Sequence, residues 1–149
     1  MSDNWLQLVP SDPYFRPSPE RAESARKLLA SFVPQSDEVS ADRKEAVEFF
    51  HPGSNWSGVE CPACGADIEG WWEEMLDVGE AEGFENLVRV ARCCSAEVSL
   101  NELRYIWPAA FGSFALVAMN PNIENLSADQ KASLEEQLGT ELRTVWTHL

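Results

Sequence analysis

Basic side chains are scarce in this chain: eleven Lys and Arg stand against twenty-five Asp and Glu, a formal net charge of −14 over 149 residues. From Glu45 to Val88 there is no Lys or Arg at all, while Glu45, Glu48, Glu60, Asp67, Glu69, Glu73, Glu74, Asp77, Glu80, Glu82 and Glu85 fall in that window. Such a surface repels phosphate, so no nucleic acid is expected as a partner. Apolar runs long enough to cross a bilayer are also missing, and no membrane association is expected. The opening Met1-Ser2-Asp3-Asn4 lacks the basic start and apolar stretch of an export signal. Histidine is limited to His51 and His148, and neither an H-E-x-x-H pair nor a phosphate-cradling Walker loop occurs. A zinc-deaminase pattern fails as well: His51 is followed by Pro52-Gly53 rather than by a glutamate two residues on, and Cys61 follows Glu60 rather than proline. With no catalytic constellation, the chain is expected to be a non-enzymatic protein.

What is present is a set of four cysteines, the only ones, in two segments: Cys61-Pro62-Ala63-Cys64-Gly65 and the adjacent pair Cys93-Cys94. Two thiolates at C-x-x-C spacing followed by glycine form one half of a zinc knuckle, since glycine accepts the left-handed backbone that turns amides towards the sulfurs. Tetrahedral thiolate ligation at a Zn–S distance of ~2.3 Å needs sulfurs within roughly 3.8 Å of one another. The adjacent pair is the anomaly, because consecutive side chains of an extended strand face opposite ways and a tight bend is required. The expectation is one structural zinc on Cys61, Cys64, Cys93 and Cys94. Should only one of the adjacent pair ligate, His51 is the best substitute, ahead of Asp67 and Glu60. Competing readings are a redox dithiol, a vicinal disulfide, or plain buried thiols. Four sulfurs would close the coordination shell and leave no open position for catalysis. Thiolate ligands and the missing export signal together point to a cytoplasmic location.

The Cys61–Gly65 segment and the Cys93-Cys94 pair resemble the knuckles of zinc ribbons and treble clefs, with C-C in place of the second C-x-x-C. Asn101-Glu102-Leu103-Arg104-Tyr105-Ile106-Trp107-Pro108 resembles a segment of small bacterial cytosolic proteins. The resemblance implies a bound metal and carries no activity with it.

Hydropathy patterning gives the rest. Trp5–Val9 reads as an opening strand stopped by Pro10. Ser18, Pro19 and Glu20 form a helix start, and Ala22, Ala25, Leu28, Leu29 and Phe32 share one face before Pro34. Gln35–Lys44 is polar and reads as a loop, followed by strands at Ala46–Phe50 and Trp56–Glu60. A second helix is expected over Gly70–Glu82, with Trp71, Met75 and Val78 on one side. Leu87–Arg92 reads as a strand and Glu97–Trp107 is ambiguous. Phe114–Met119 reads as a buried strand. Ser127 with Gln130 forms a capping box for a third helix ending at Gly139, and Leu142–Leu149 supplies a last strand. The expected fold is α+β: one domain over 1–149 with a mixed or antiparallel sheet, about three helices and a zinc-binding insertion around 57–95.

The acidity suggests a basic protein as partner, in the manner of an immunity protein that neutralises a toxin such as a nuclease. The candidate contact surface is the second helix, with Trp72 as anchor among Glu69, Glu73, Glu74 and Asp77. The competing role for Trp71 and Trp72 is core packing.

Overall fold

The computed structural model of the chain describes residues 3–81 and 83–149. Met1, Ser2 and Glu82, the last being the expected end of the second helix, lie outside the described residues. The element order is β1 (Asn4–Pro10), α1 (Pro19–Phe32), β2 (Glu38–Phe50), β3 (Val59–Glu60), α2 (Glu69–Ala81), β4 (Val88–Val90), β5 (Glu97–Ser99), a single 3-10 turn (Leu100–Glu102), β6 (Arg104–Tyr105), β7 (Ala110–Met119), α3 (Ala128–Leu138) and β8 (Leu142–His148). This is the α+β fold, with an antiparallel main sheet in the order β2-β7-β1-β8 and two small two-stranded sheets, β3-β6 and β4-β5.

The main sheet is built around β7, which is buried along nearly its whole length. A strand covered on both faces loses the polar alternation of a half-exposed one, hence the unbroken apolar run from Phe114. One face of the sheet carries Leu6, Leu8, Phe114, Leu116 and Ala118, packed against Ala22, Ala25 and Leu29 of α1 and Leu134 and Leu138 of α3. Ser18 caps α1 by accepting from the Arg21 amide, with Pro19 in the first turn. Ser127 and Gln130 close the capping box of α3, and Gly139 ends it in the left-handed conformation (φ 83°). The opposite face carries Val9, Ala115, Val117 and Val145 with Phe50 and Ala110.

The polar stretch expected as a loop at Gln35–Lys44 is instead largely strand. β2 runs for 13 residues and pairs with β7 from Glu38↔Met119 to Arg43↔Phe114, then resumes at Glu48↔Gly112 after a register shift. Its position explains the difference. β2 is an edge strand, where charged residues are tolerated and discourage further pairing. Val39 and Ala41 give it enough apolar contact with the helix layer to hold it there. At the register shift, Arg16 Nη2 donates to the carbonyls of Lys44 and Glu45 at 2.5 and 2.8 Å, satisfying groups that the irregularity frees.

Between β2 and β7 the chain leaves the main sheet and builds a second core of Val59, Cys61, Ile68, Trp72, Phe84, Leu87, Ala91, Val98, Leu100 and Leu103, joined to the sheet through Val47 and Phe111. This stretch continues past residue 95, through β5, the 3-10 turn and β6 to Tyr105. The expected strand over Trp56–Glu60 shrinks to Val59–Glu60, and the ambiguous stretch Glu97–Trp107 resolves into two short strands about the 3-10 turn. Asn101 fastens this turn to three elements. Its Oδ1 accepts from the Phe111 amide at 2.9 Å, its Nδ2 donates to the Ser11 carbonyl at 3.2 Å, and its own carbonyl accepts from Arg143 at 2.5 Å.

Candidate metal centre

Two hairpin tips with the same backbone construction carry the cysteines, at a constant offset of 30 residues (61 to 91, 65 to 95, 68 to 98). In the first, the Gly65 amide donates to the Cys61 carbonyl at 2.8 Å and the Cys61 amide to the Ala66 carbonyl at 2.9 Å. In the second, Ser95 donates to Ala91 at 2.7 Å and Ala91 to Ala96 at 2.8 Å. Both turns place their fifth residue at positive φ: Gly65 at 77° and Ser95 at 62°. Glycine takes that conformation freely, whereas serine takes it under strain. The flanking ladders match too, Glu60 opposite Asp67 and Val90 opposite Glu97, with Ile68 and Val98 buried at equivalent places.

Within this frame Cys64 and Cys94 are equivalent, but the position equivalent to Cys61 is Ala91, itself fully buried. The fourth sulfur comes from Cys93, equivalent to Ala63 at the tip of the turn. That arrangement resolves the anomaly of the adjacent pair. Cys93 and Cys94 lie in a tight turn and not at the end of an extended strand, so their side chains converge. The Sγ atoms of Cys61 and Cys94 are 3.8 Å apart and those of Cys64 and Cys93 3.4 Å apart. All four lie within 4.8 Å of one another, close enough for a single metal ion to draw them into a tetrahedron. All four cysteines are free; Cys61 is buried and the other three are exposed.

Local electrostatics favour one thiolate first. Cys61 is lowered to about 7, chiefly by the Cys64 backbone amide aimed at its sulfur, and further by the Ala63 amide and the Cys93 and Cys94 thiols. Cys93 is pushed up to about 12 by desolvation, reinforced by the Cys64 and Cys61 sulfurs. At Cys94 the Ala96 amide pulls the thiol down, yet desolvation and the Cys61 and Cys64 sulfurs hold it above its ordinary value. A second negative charge beside the first is costly without a cation. A divalent ion would supply the missing charge, and this donor set suits one.

His51, Asp67 and Glu60, the expected substitutes, do not belong to the cluster. His51 stacks on Trp56 with ring centroids 5.3 Å apart and meets Phe49 edge-on at 5.7 Å; its Nδ1 accepts from the Gly53 amide at 2.9 Å. Desolvation by these neighbours lowers its pKa, favouring the neutral ring. The Asp67 carboxylate accepts from the Glu69 amide at 3.0 Å, and Glu60 pairs with Arg104 at 3.6 Å.

The expected contact surface on α2 needs correction. Trp72 is 3% exposed and stacks on Trp56 at 4.6 Å with 17° between planes, while its Nε1 donates to Tyr105 Oη at 3.3 Å. Tyr105 Oη in turn donates to the Leu100 carbonyl at 2.7 Å, and burial raises its pKa. Trp72 is thus a core residue under the hairpins and cannot serve as a surface anchor. Glu69 is also committed, accepting from Trp56 Nε1. Of the helix residues named above, Glu73, Glu74 and Asp77 are exposed, and Glu74 holds Arg92 of the second turn at 2.7 Å. Val78, on the same expected side of the helix as Trp71 and Met75, is exposed, and Trp71 is half-buried.

Sequence reasoning missed Ala91 and Asn101. A search for self-similarity at a 30-residue offset, comparing Glu60–Ile68 with Val90–Val98, holds the signal for Ala91; nothing local marks Asn101. Among the described residues no helix is long and apolar enough to cross a membrane. No family model matches the chain, and neither the curated proteins nor the solved structures contain a significant match.

Proposed function

We propose that this protein is a non-enzymatic, zinc-stabilised acidic domain that binds a basic protein partner. The observation that carries the zinc reading is the convergence of four Sγ atoms within 4.8 Å on two matched turns. An all-sulfur tetrahedral set suits zinc, and four thiolates leave no position for substrate or activated water. The ion's work is then structural: it ties the first hairpin to the second, and through Ile68 and Val98 holds the second core together. Binding energy of this kind is folding energy, so metal loss would loosen everything between β2 and β7.

The partner reading rests on charge. A net charge of −14, with a basic-free window from Glu45 to Val88, steers a positive protein towards the molecule. Glu73, Glu74 and Asp77 are exposed acidic residues of that window on α2 and are the contact residues we assign to it. An immunity-type role, masking a basic toxin such as a nuclease, fits this physical profile in a cytoplasmic protein. Metal analysis of the purified chain tests the first half: one zinc per chain is expected. Capture of basic proteins from a bacterial lysate over a salt series tests the second, and retention that is absent or indifferent to salt would sink it.

A further inference from the structure

We infer that the four-cysteine centre is also a peroxide-responsive switch, in which oxidation joins Cys64 to Cys93 and Cys61 to Cys94 and releases the metal. This rests on the zinc reading above for the released ion, whereas the disulfide pairing rests on the sulfur geometry alone. Three of the four cysteines, Cys64, Cys93 and Cys94, are exposed, so a small oxidant reaches the cluster from solvent; Cys61 is fully buried. The short separations run between the hairpins: 3.4 Å from Cys64 to Cys93 and 3.8 Å from Cys61 to Cys94. A disulfide between the adjacent residues Cys93 and Cys94 is disfavoured, because neighbouring Cα atoms lie ~3.8 Å apart, below the roughly 4.4–6.8 Å usual for a disulfide.

The chemistry balances with peroxide as oxidant. An exposed thiolate, that of Cys64 or Cys93, attacks one peroxide oxygen; the O–O bond breaks, hydroxide leaves, and a sulfenic acid forms. The facing thiolate then attacks the sulfenic sulfur, the S–O bond breaks, a second hydroxide leaves, and the S–S bond closes. Cys61 and Cys94 repeat the sequence with a second peroxide. Four thiolates lose four electrons, two peroxides accept them, and four hydroxides result, protonated by solvent to water. Thiolate donors are consumed pairwise, so no ligand set remains for the ion. Both products bridge the same two turns that the metal bridged, and the link between hairpins survives in covalent form.

The test uses the full chain as purified, treated with hydrogen peroxide and followed by a chromogenic zinc chelator and by non-reducing proteolysis with mass spectrometry. A parallel sample is stripped of metal beforehand. The expected result is release of one zinc for two peroxides consumed, Cys64–Cys93 and Cys61–Cys94 cross-links in both samples, and reversal by dithiothreitol with added zinc. Links confined to Cys61–Cys64, or oxidation that stops at sulfinic acid, would overturn the switch. Cross-hairpin links in a protein that carries no zinc as purified would overturn the zinc reading and leave the pairing standing.

Discussion

Ala91 stands in the second hairpin where Cys61 stands in the first: both are fully buried, and each amide and carbonyl makes the same pair of turn hydrogen bonds. The fourth sulfur has therefore moved two residues along the turn, from position 91 to Cys93. If the backbones are interchangeable, the site can be restored to matched C-x-x-C halves. A double variant, Ala91→Cys with Cys93→Ala, is expected to bind one metal ion with four-thiolate cobalt absorption. Cys93→Ala alone is expected to lose that absorption. A double variant that binds no better than Cys93→Ala would show that the two turns are not equivalent as ligand frames.

Metal uptake should be coupled to pH. In the metal-free chain Cys61 is drawn down, to about 7 from an ordinary thiol value of 9.0. Its thiolate therefore favours the fold fully above pH 9, and that contribution is lost as pH falls through 7. Cys93 and Cys94 are raised and keep their protons at neutral pH until a cation displaces them. Zinc binding at pH 6 is expected to be weaker than at pH 8 and to release about one proton more, the one that Cys61 has already lost at the higher pH. Calorimetry in buffers of different ionisation enthalpy measures that difference. Equal proton release at both values would contradict the assigned role of Cys61.

Two packing residues are expected to matter more for stability than any surface charge. Trp72 is stacked on Trp56 beneath the hairpins, and Trp72→Ala should cost about 3–5 kcal/mol in urea unfolding. Asn101→Ala frees the Phe111 amide and the Ser11 carbonyl of their side-chain partner and should cost about 1–3 kcal/mol. A change below ~0.5 kcal/mol, the usual range for surface substitutions, would contradict the assigned role of either residue.

The steering role proposed for the acidic face has its own signature. Neutralising Glu73, Glu74 and Asp77 together is expected to slow association with a basic partner, on the order of tenfold at low salt, with little change in dissociation. Stopped-flow association across a salt series separates the two rates. An unchanged on-rate would move the contact surface elsewhere.

Much of this was legible in the residues themselves. The caps at Ser18 and Ser127 were local signals with one physical meaning, as was the apolar run of β7, and the structure follows them. The four cysteines were legible as a set. Why they converge was not, because the answer lies in a turn that repeats one 30 residues earlier rather than in any local motif. The polar start of β2 conceals a strand, because an edge strand takes its hydrogen bonds from a neighbour some seventy residues away and need not be apolar. The charges around Trp72 on α2 leave surface anchor and core packing as competing roles in the sequence. The burial of Trp72 depends on Trp56 and Tyr105, which only the tertiary fold brings to it.

Four sulfurs on two matched turns are proposed to hold one zinc ion. Metal analysis of the native chain beside the Cys64→Ser, Cys93→Ser and Cys94→Ser variants tests this assignment most directly. One zinc per chain is expected in the native protein, with a clear loss of affinity in each variant. A native protein without zinc, or a Cys93→Ser variant that holds zinc as tightly as the native chain, would contradict it.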